Sequence, residues 1–248
     1  MKIFVVNLPE NTARLVAIER QLQALNLAYE ILPAIRGKSL TSEERQRDYD
    51  QRRGFRTYGR TLSSGELGCA LSHIAIYRKV AESNITHALV LEDDAWLNPN
   101  IPQLLEAIEK QYTADQANIF LLSWASAVRQ PYRRIWAGYG LQPVRTAQCA
   151  HAYVISRSAA TELLQVLYPV HIVADCWEWI IKHGVARVFA LTPPAVTSDL
   201  SNDSDIGLEL QEMISSWTLW YRTYRKVSRV WWKLMDEVIA VGHRLSNP

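Results

Sequence analysis

Two patterns of apolar and polar residues take turns along the chain: short, wholly apolar runs, and longer stretches in which apolar residues recur every three or four positions. The first reads as buried strand and the second as amphipathic helix. Lys2–Asn7 is apolar and β-branched, fit for a central strand. Glu10–Asn26 sets Leu15, Ile18, Leu22 and Leu25 on one helical face, and Ala28–Leu32 returns to the strand pattern, closing a βαβ unit. Gly65–Val80 predicts a helix through Leu67, Leu71, Ile74 and Tyr77, with Ala70 and Ile76 filling the face, and it feeds a strand that includes Leu89–Leu91. A helix near Asn100–Tyr112 and strands at Asn118–Leu122 and Ala152–Ser156 follow. Helices are then expected at Ser158–Tyr168 and Ile172–His183, and a late strand at Val185–Leu191. Ala125–Val144 has no period and holds Pro131, Gly138, Gly140 and Pro143, so irregular structure is expected there. Thr192–Gly207 reads as a polar loop. Strands alternating with helices predict an α/β fold, and no internal repeat is evident.

The polar positions carry the candidate chemistry. Leu89–Leu91 runs straight into Glu92, Asp93 and Asp94. Adjacent carboxylates repel, so such a cluster at a strand end points to a bound cation or to an acid held protonated. In open α/β sheets, ligands bind beyond the carboxyl ends of the strands. The competing reading is a solvated acidic turn that caps the next helix, before Asn98 and Pro99. Thr41–Arg60 holds six arginines, at 45, 47, 52, 53, 56 and 60, against four acids. Its start, Thr41-Ser42-Glu43-Glu44, has the form of a helix cap, and the rest reads as an exposed loop. That loop is either a solvated segment or a lid that contacts phosphates of a ligand.

Composition narrows the class without naming a partner. The 248 residues are 48% apolar and 21% charged, with a net charge of +2, enough for one α/β domain or two small ones. Near the first residue there is no long apolar core followed by a small-residue cleavage site, so no signal peptide is expected. No segment reaches the ~18 apolar residues of a membrane span. Cys69, Cys149 and Cys176 are scattered and odd in number, which suits free buried thiols in a reducing compartment. The tail differs from the rest. Met213–Asn247 has six basic residues against two acids, and six aromatics fall between Trp217 and Trp232 at helical spacing. Such a basic, aromatic face describes an interfacial membrane helix, or else a terminal helix packed on the domain. Nucleic acid is the weaker partner, because the rest of the chain shows no basic surface.

Several stretches together resemble glycosyltransferase family 25, the lipooligosaccharide-type sugar transferases. They are VVNL with Arg14, AIRGKSL (Ala34–Leu40), GELGCALSH (Gly65–His73), LVLEDD (Leu89–Asp94), AYVISRSAA (Ala152–Ala160) and Asp175. The resemblance implies a GT-A-like, Rossmann-type nucleotide-sugar-binding fold with a mixed, mostly parallel sheet. It would span a catalytic domain over residues 1–210, followed by an amphipathic tail over 211–248. It further implies an inverting transfer of a hexose, galactose first, from a UDP-sugar to a lipid-linked saccharide acceptor of lipooligosaccharide. The enzyme would sit at the cytoplasmic membrane's inner face.

The family's acidic motif puts its last Asp, here Asp94, on Mn²⁺ or Mg²⁺, with Glu92 and Asp93 acting through water or on donor hydroxyls. A further metal ligand is sought among Asp199, Asp203 and Asp205, with Ser204-Asp205-Ile206 favouring Asp205. Asp175 is the candidate catalytic base, or else a cap for the helix after it, and Glu178 is the fallback. Asn7 is expected near the base or ribose, and Arg14 near the nucleotide or on the helix surface. His73 would orient the triplet or sit buried and satisfied. His151 and Tyr153 would line the sugar pocket, with packing the stronger account of Tyr153. A metal-dependent phosphohydrolase or nucleotidyltransferase, or a catalytically dead glycan- or membrane-binding protein, would share parts of this pattern.

Overall fold

The structure, a computed structural model, describes residues 1–148 and 150–198. The tail from 199 onward, with Asp199, Asp203, Asp205 and the whole basic aromatic segment, lies outside the described residues, as does Cys149.

The chain begins with β1 (Lys2–Asn7), α1 (Thr12–Ala24) and β2 (Glu30–Pro33), the expected βαβ unit, with β1 and β2 parallel. A 3₁₀ turn at Gly37–Ser39 leads to α2 (Ser42–Asp48), α3 (Gln51–Tyr58) and α4 (Ser64–Ala81). Then come β3 (His87–Glu92), β4 (Ala95–Leu97), α5 (Ile101–Gln111) and β5 (Asn118–Leu121). The excursion β6 (Ala127–Val128), β7 (Arg133–Trp136) and β8 (Tyr139–Thr146) precedes β9 (Ala152–Ser156). The last described elements are α6 (Arg157–Leu167), α7 (Trp177–Lys182), β10 (Arg187–Thr192) and β11 (Val196–Ser198).

The main sheet has nine strands in the order β2-β1-β3-β9-β5-β10-β8-β6, with β7 also on β8. Ladders β1–β2, β1–β3 and β5–β10 are parallel, while β9 lies antiparallel between β3 and β5. Thus β2, β1, β3, β5 and β10 all point one way. This is the mixed α/β sheet expected of the sequence, with these five strands sharing one direction. Strand alternation divides the core in two. Phe4, Val90, Ile119 and Tyr153 face α4, α6 and α7, whereas Val5, Leu89, Phe120 and Val154 face α1 and α5. Both faces are covered, which is why these strands read as unbroken apolar runs.

Four expectations need correction. Thr41–Arg60 is not a loop. It forms α2, opened by a Thr41/Glu44 capping box, and α3, capped by the Asp50 side chain on the Arg53 amide. The period was obscured because both helices are short and mostly exposed, so charge rather than apolar spacing dominates them. The stretch before β8 is a set of antiparallel strands rather than irregular structure, since β7 and β6 pair with successive parts of β8. The expected helix at Ile172 begins only at Trp177, after a turn. The expected loop after Thr192 holds β11, which pairs with β4 in a small second sheet.

Candidate functional site

The site grows from the end of β3. Strand geometry sends successive side chains to opposite faces, so the three carboxylates part company. Glu92 follows Val90 towards α4, and Asp93 turns to the α1 side. The backbone then turns, and Asp94 ends the pair of turn residues before β4. The turn therefore does not cap α5, whose N-cap is Asn100.

On the α4 side, Glu92 Oε1 meets His73 Nε2 at 3.2 Å and the Cys69 thiol at 3.9 Å. His73 is 1% exposed, and its Nδ1 meets the Tyr153 hydroxyl at 2.6 Å. Tyr153 in turn donates to the Tyr77 hydroxyl at 3.2 Å. The Tyr153 oxygen is then left to accept from His73 Nδ1–H, and one proton lies between Nε2 and the carboxyl. Burial pushes the Glu92 carboxyl up, but the His73 hydrogen bond and charge, helped by His151 and Cys69, hold it below its ordinary value. The two readings of His73 are thus one arrangement: it is buried and satisfied because it fixes Glu92.

On the α1 side, Asn7 is 3% exposed, and its Nδ2 donates to Asp93 Oδ2 at 2.7 Å and to the Asn11 carbonyl at 3.2 Å. Arg14, on α1, lies 3.6 Å from Asp93 Oδ1. Asn7 and Arg14 therefore both steady Asp93. Burial still raises the Asp93 carboxyl, against the Asn7 bond and the Arg14 charge.

Asp94 is less well supported, by its own amide and the Arg14 charge alone. Its Oδ1 is buried without a hydrogen-bond partner, and burial, then the charges of Glu92 and Asp93, push its carboxyl up to about 6. An orphaned oxygen beside two acids is what a hard cation would satisfy. Cys69, His73 and Glu92 also bring donor atoms within 4.8 Å of one another. They fit a metal poorly, because both His73 nitrogens and Glu92 Oε1 are already committed, and burial keeps the Cys69 thiol protonated.

His151 stands across the ladder from Glu92, whose amide donates to the His151 carbonyl at 2.9 Å. Burial lowers its pKa against the pull of Glu92, and its Nε2 has no partner. A second orphaned atom thus marks the same sheet edge. Asp175 is half-buried in the turn before α7. Trp177, whose amide donates to the Asp175 carbonyl, packs edge-on to Tyr153 at 5.2 Å, so Asp175 stands near the His73–Tyr153 side of the site. The N-cap of α7 is Cys176 rather than Asp175, and Glu178 is exposed in its first turn. Cys69 and Cys176 are free thiols, as expected, and partly exposed as residues. Cys69 and Tyr77 had gone unnoticed as partners of the site. Their signal was present in the sequence: Cys69, His73 and Tyr77 recur every four residues along one face of a largely buried helix.

Glycines set α4 in place. A Cβ on Gly68 would lie 2.3 Å from the Ile35 carbonyl oxygen and 2.6 Å from the Gly37 amide. AIRGKSL and GELGCALSH are thus the two sides of one close backbone contact. The start of α4 is pinned by Glu66. It closes a capping box with Ser63 and takes a bidentate ion pair from the buried Arg60, both bonds 2.6 Å.

These features define an α/β protein with a cluster of acids at the carboxyl ends of its parallel strands. Residues 1–177 match the family model described as glycosyltransferase family 25 (LPS biosynthesis protein), and the chain belongs to that family. It is 26% identical over 171 residues to procollagen galactosyltransferase 1 of Danio rerio, covering 66% of this chain and 28% of that protein. It is 28% identical over 160 residues to a putative glycosyltransferase of Haemophilus influenzae, covering 61% and 55%. The chain thus spans little more than a quarter of the first relative and about half of the second. Among solved structures, a putative glucose-1-phosphate thymidylyltransferase from Bacillus anthracis, in complex with a sucrose, aligns at a TM-score of 0.45. That alignment has 12% identity and covers 86% of this chain and 93% of that one.

Proposed function

We propose that the chain is a divalent-cation-dependent, inverting glycosyltransferase. It would move a hexose, galactose first, from a UDP-sugar to a saccharide acceptor of lipooligosaccharide type. The observation that carries this reading is the buried, unpartnered Asp94 Oδ1 beside two separately anchored acids. Family membership and a galactosyltransferase relative support the donor class.

Asp94 would hold Mn²⁺ or Mg²⁺, with Asp205 as a second ligand. A bound cation supplies charge neutralisation for a departing pyrophosphate. Asp93, held by Asn7 and Arg14, is positioned to accept from donor hydroxyls, and Glu92, held by His73, presents its second oxygen to the crevice. Asp175 would take the proton of the attacking acceptor hydroxyl. The neutral His151 offers Nε2 to the sugar.

The test is a screen of UDP-sugars with Mn²⁺ and a saccharide acceptor. Transfer of hexose is expected, lost in chelator and in Asp94→Ala. Asp175→Asn should lower kcat by ~10²–10⁴-fold with donor affinity kept. Full transfer in chelator would remove the cation. Nucleotide release without a sugar product would point to a hydrolase, and silence with every donor to a binding protein.

Among the described residues, no helix is long and apolar enough to cross a membrane. The basic aromatic segment from Trp217 to Leu234 is proposed as a peripheral contact with the inner face of the cytoplasmic membrane, where a lipid-linked acceptor would be met.

A further inference from the structure

The arginine-rich segment before α4 builds a feature that the catalytic edge does not use. Helices α2 and α3, with Pro169 opposite, enclose an open concavity of about 990 Å³. Arg45, Arg52 and Arg56 line it, together with Tyr49 and Phe55. Arg52 and Arg56 sit four residues apart on α3, where like charges repel by ~0.2–0.5 kcal/mol. The lining acid, Asp50, already caps α3 by accepting from the Arg53 amide. Phe55 is 54% exposed, an unusual outlay of aromatic surface on so polar a helix. Three lining arginines against one acid that is already engaged, next to an open aromatic face, suit a ligand that is anionic at one end and ring-shaped at the other.

The walls of this concavity are tied to the catalytic edge. Arg45 Nη2 donates to the Gly37 carbonyl at 3.2 Å and to Ser64 Oγ at 3.3 Å, and so touches the start of the helix that carries Cys69 and His73. Tyr49 pairs with Val170, and its hydroxyl accepts from the Leu62 amide at 2.7 Å. At the far end of α3, the Tyr58 hydroxyl accepts from the Val173 amide at 3.2 Å, and the Asp175 charge reaches that hydroxyl. At ~1.5 Å of rise per residue, Arg52 lies roughly 9 Å along the helix from Tyr58. A saccharide of a few rings can bridge that span.

We infer that the α2–α3 concavity is an acceptor subsite which binds an acidic saccharide, its phosphate or carboxylate held by Arg52 and Arg56 and a neighbouring ring resting on Phe55. The inference rests on the proposed transferase reading, in that it gives the acceptor's charge and its direction of approach to Asp175.

Glucose 6-phosphate, glucuronate and neutral glucose are titrated into the full chain and into Arg52→Gln/Arg56→Gln, with binding read by NMR. Both arginines are exposed, so the variant is expected to keep its melting temperature, and a Phe55→Ala chain serves as a second probe. One or both anionic sugars should bind about tenfold more tightly than glucose, and that preference should vanish in the double variant. Phosphate preference and carboxylate preference each support the subsite and tell the two sources apart. With transfer in hand, KM for an acidic acceptor should rise about tenfold in the double variant, while kcat and the donor KM stay put. Three results overturn the inference: equal binding by variant and unmodified chain, glucose binding as tightly as the anions, or displacement of the anions by UDP alone, which would give the site to the donor. Absence of transfer with every donor would refute the transferase reading, and the titration would still decide the subsite on its own.

Discussion

At the residue scale, the acidic turn divides its labour by direction. A strand that ends in three acids cannot aim them all at one ligand, so Glu92 and Asp93 are anchored on opposite faces and Asp94 is left exposed to its neighbours' charge. Its folded value of about 6 lies above the unfolded value of 3.8, so the folded chain holds this proton more tightly between the two. In chelator, stability should therefore fall as pH rises from about 4 through about 6 and then level off. Asp94→Asn should flatten that slope and be more stable than the unmodified chain at pH 7, by on the order of 1–2 kcal/mol once solvent screening is discounted. Thermal unfolding across pH checks this, and an unchanged slope would refute it. Tyr153→Phe removes the acceptor of His73 Nδ1–H. Leaving that buried group unpaired should cost ~1–3 kcal/mol, and kcat should fall about tenfold as Glu92 loosens. Tyr77→Phe, one link further away, should do less. The triplet itself was plain in the sequence. The division of its members was not, because pleat direction depends on where the strand stops.

At the element scale, α4 does most of the positioning. It brings Cys69, His73 and Tyr77 behind Glu92 on one face, and its own start is fixed by Glu66, Arg60 and the Gly37–Gly68 contact. Gly68→Ala would drive a methyl into the Ile35 carbonyl, so the 3₁₀ turn or the helix must move. A loss of ~1–3 kcal/mol is expected, together with a drop in kcat, because the shift carries His73 away from Glu92. A substitution that lowers the melting temperature yet leaves kcat intact would show that α4 holds its register without this contact. Helix α4 was legible because eighteen residues repeat the period several times. Helices α2 and α3 were not, because seven or eight residues give barely two turns and their apolar members are few. The same mixture of arginines and acids hid the buried Arg60, whose partner Glu66 lies beyond the segment in which it was read.

At the scale of the whole molecule, the sheet order places β1, β3, β5 and β10 so that their carboxyl ends share one edge, where Asn7, Glu92 and His151 converge. The parallel strands and the site edge could be read from apolar runs and acids. The insertion of β9 between β3 and β5 could not, because nothing in AYVIS states its direction or its neighbours. The proposed membrane contact of the basic, aromatic segment is tested at this scale too. A chain ending near Glu212 should stay folded and transfer to a soluble acceptor, but lose binding to anionic vesicles. Each basic residue at an anionic surface is worth about 1 kcal/mol, so the binding should also fade with salt. Truncated protein that is insoluble would assign the aromatic face to the core. The placement of β9 also sets an order of events during synthesis. With β9 absent, β2-β1-β3 and β5-β10-β8-β6 are two separate half-sheets, and Val90 and Leu121 lose the partner they share, Tyr153. A nascent chain that has emerged only as far as Gln148 can build the first half, but it lacks the strand that joins the two. Ribosome-held chains of increasing length should therefore show strong amide protection in β3 only once residues up to Ser156 are free. The acids of the turn thus spend the first part of the protein's life on an open sheet edge, with their electrostatic repulsion as the guard against pairing with another chain.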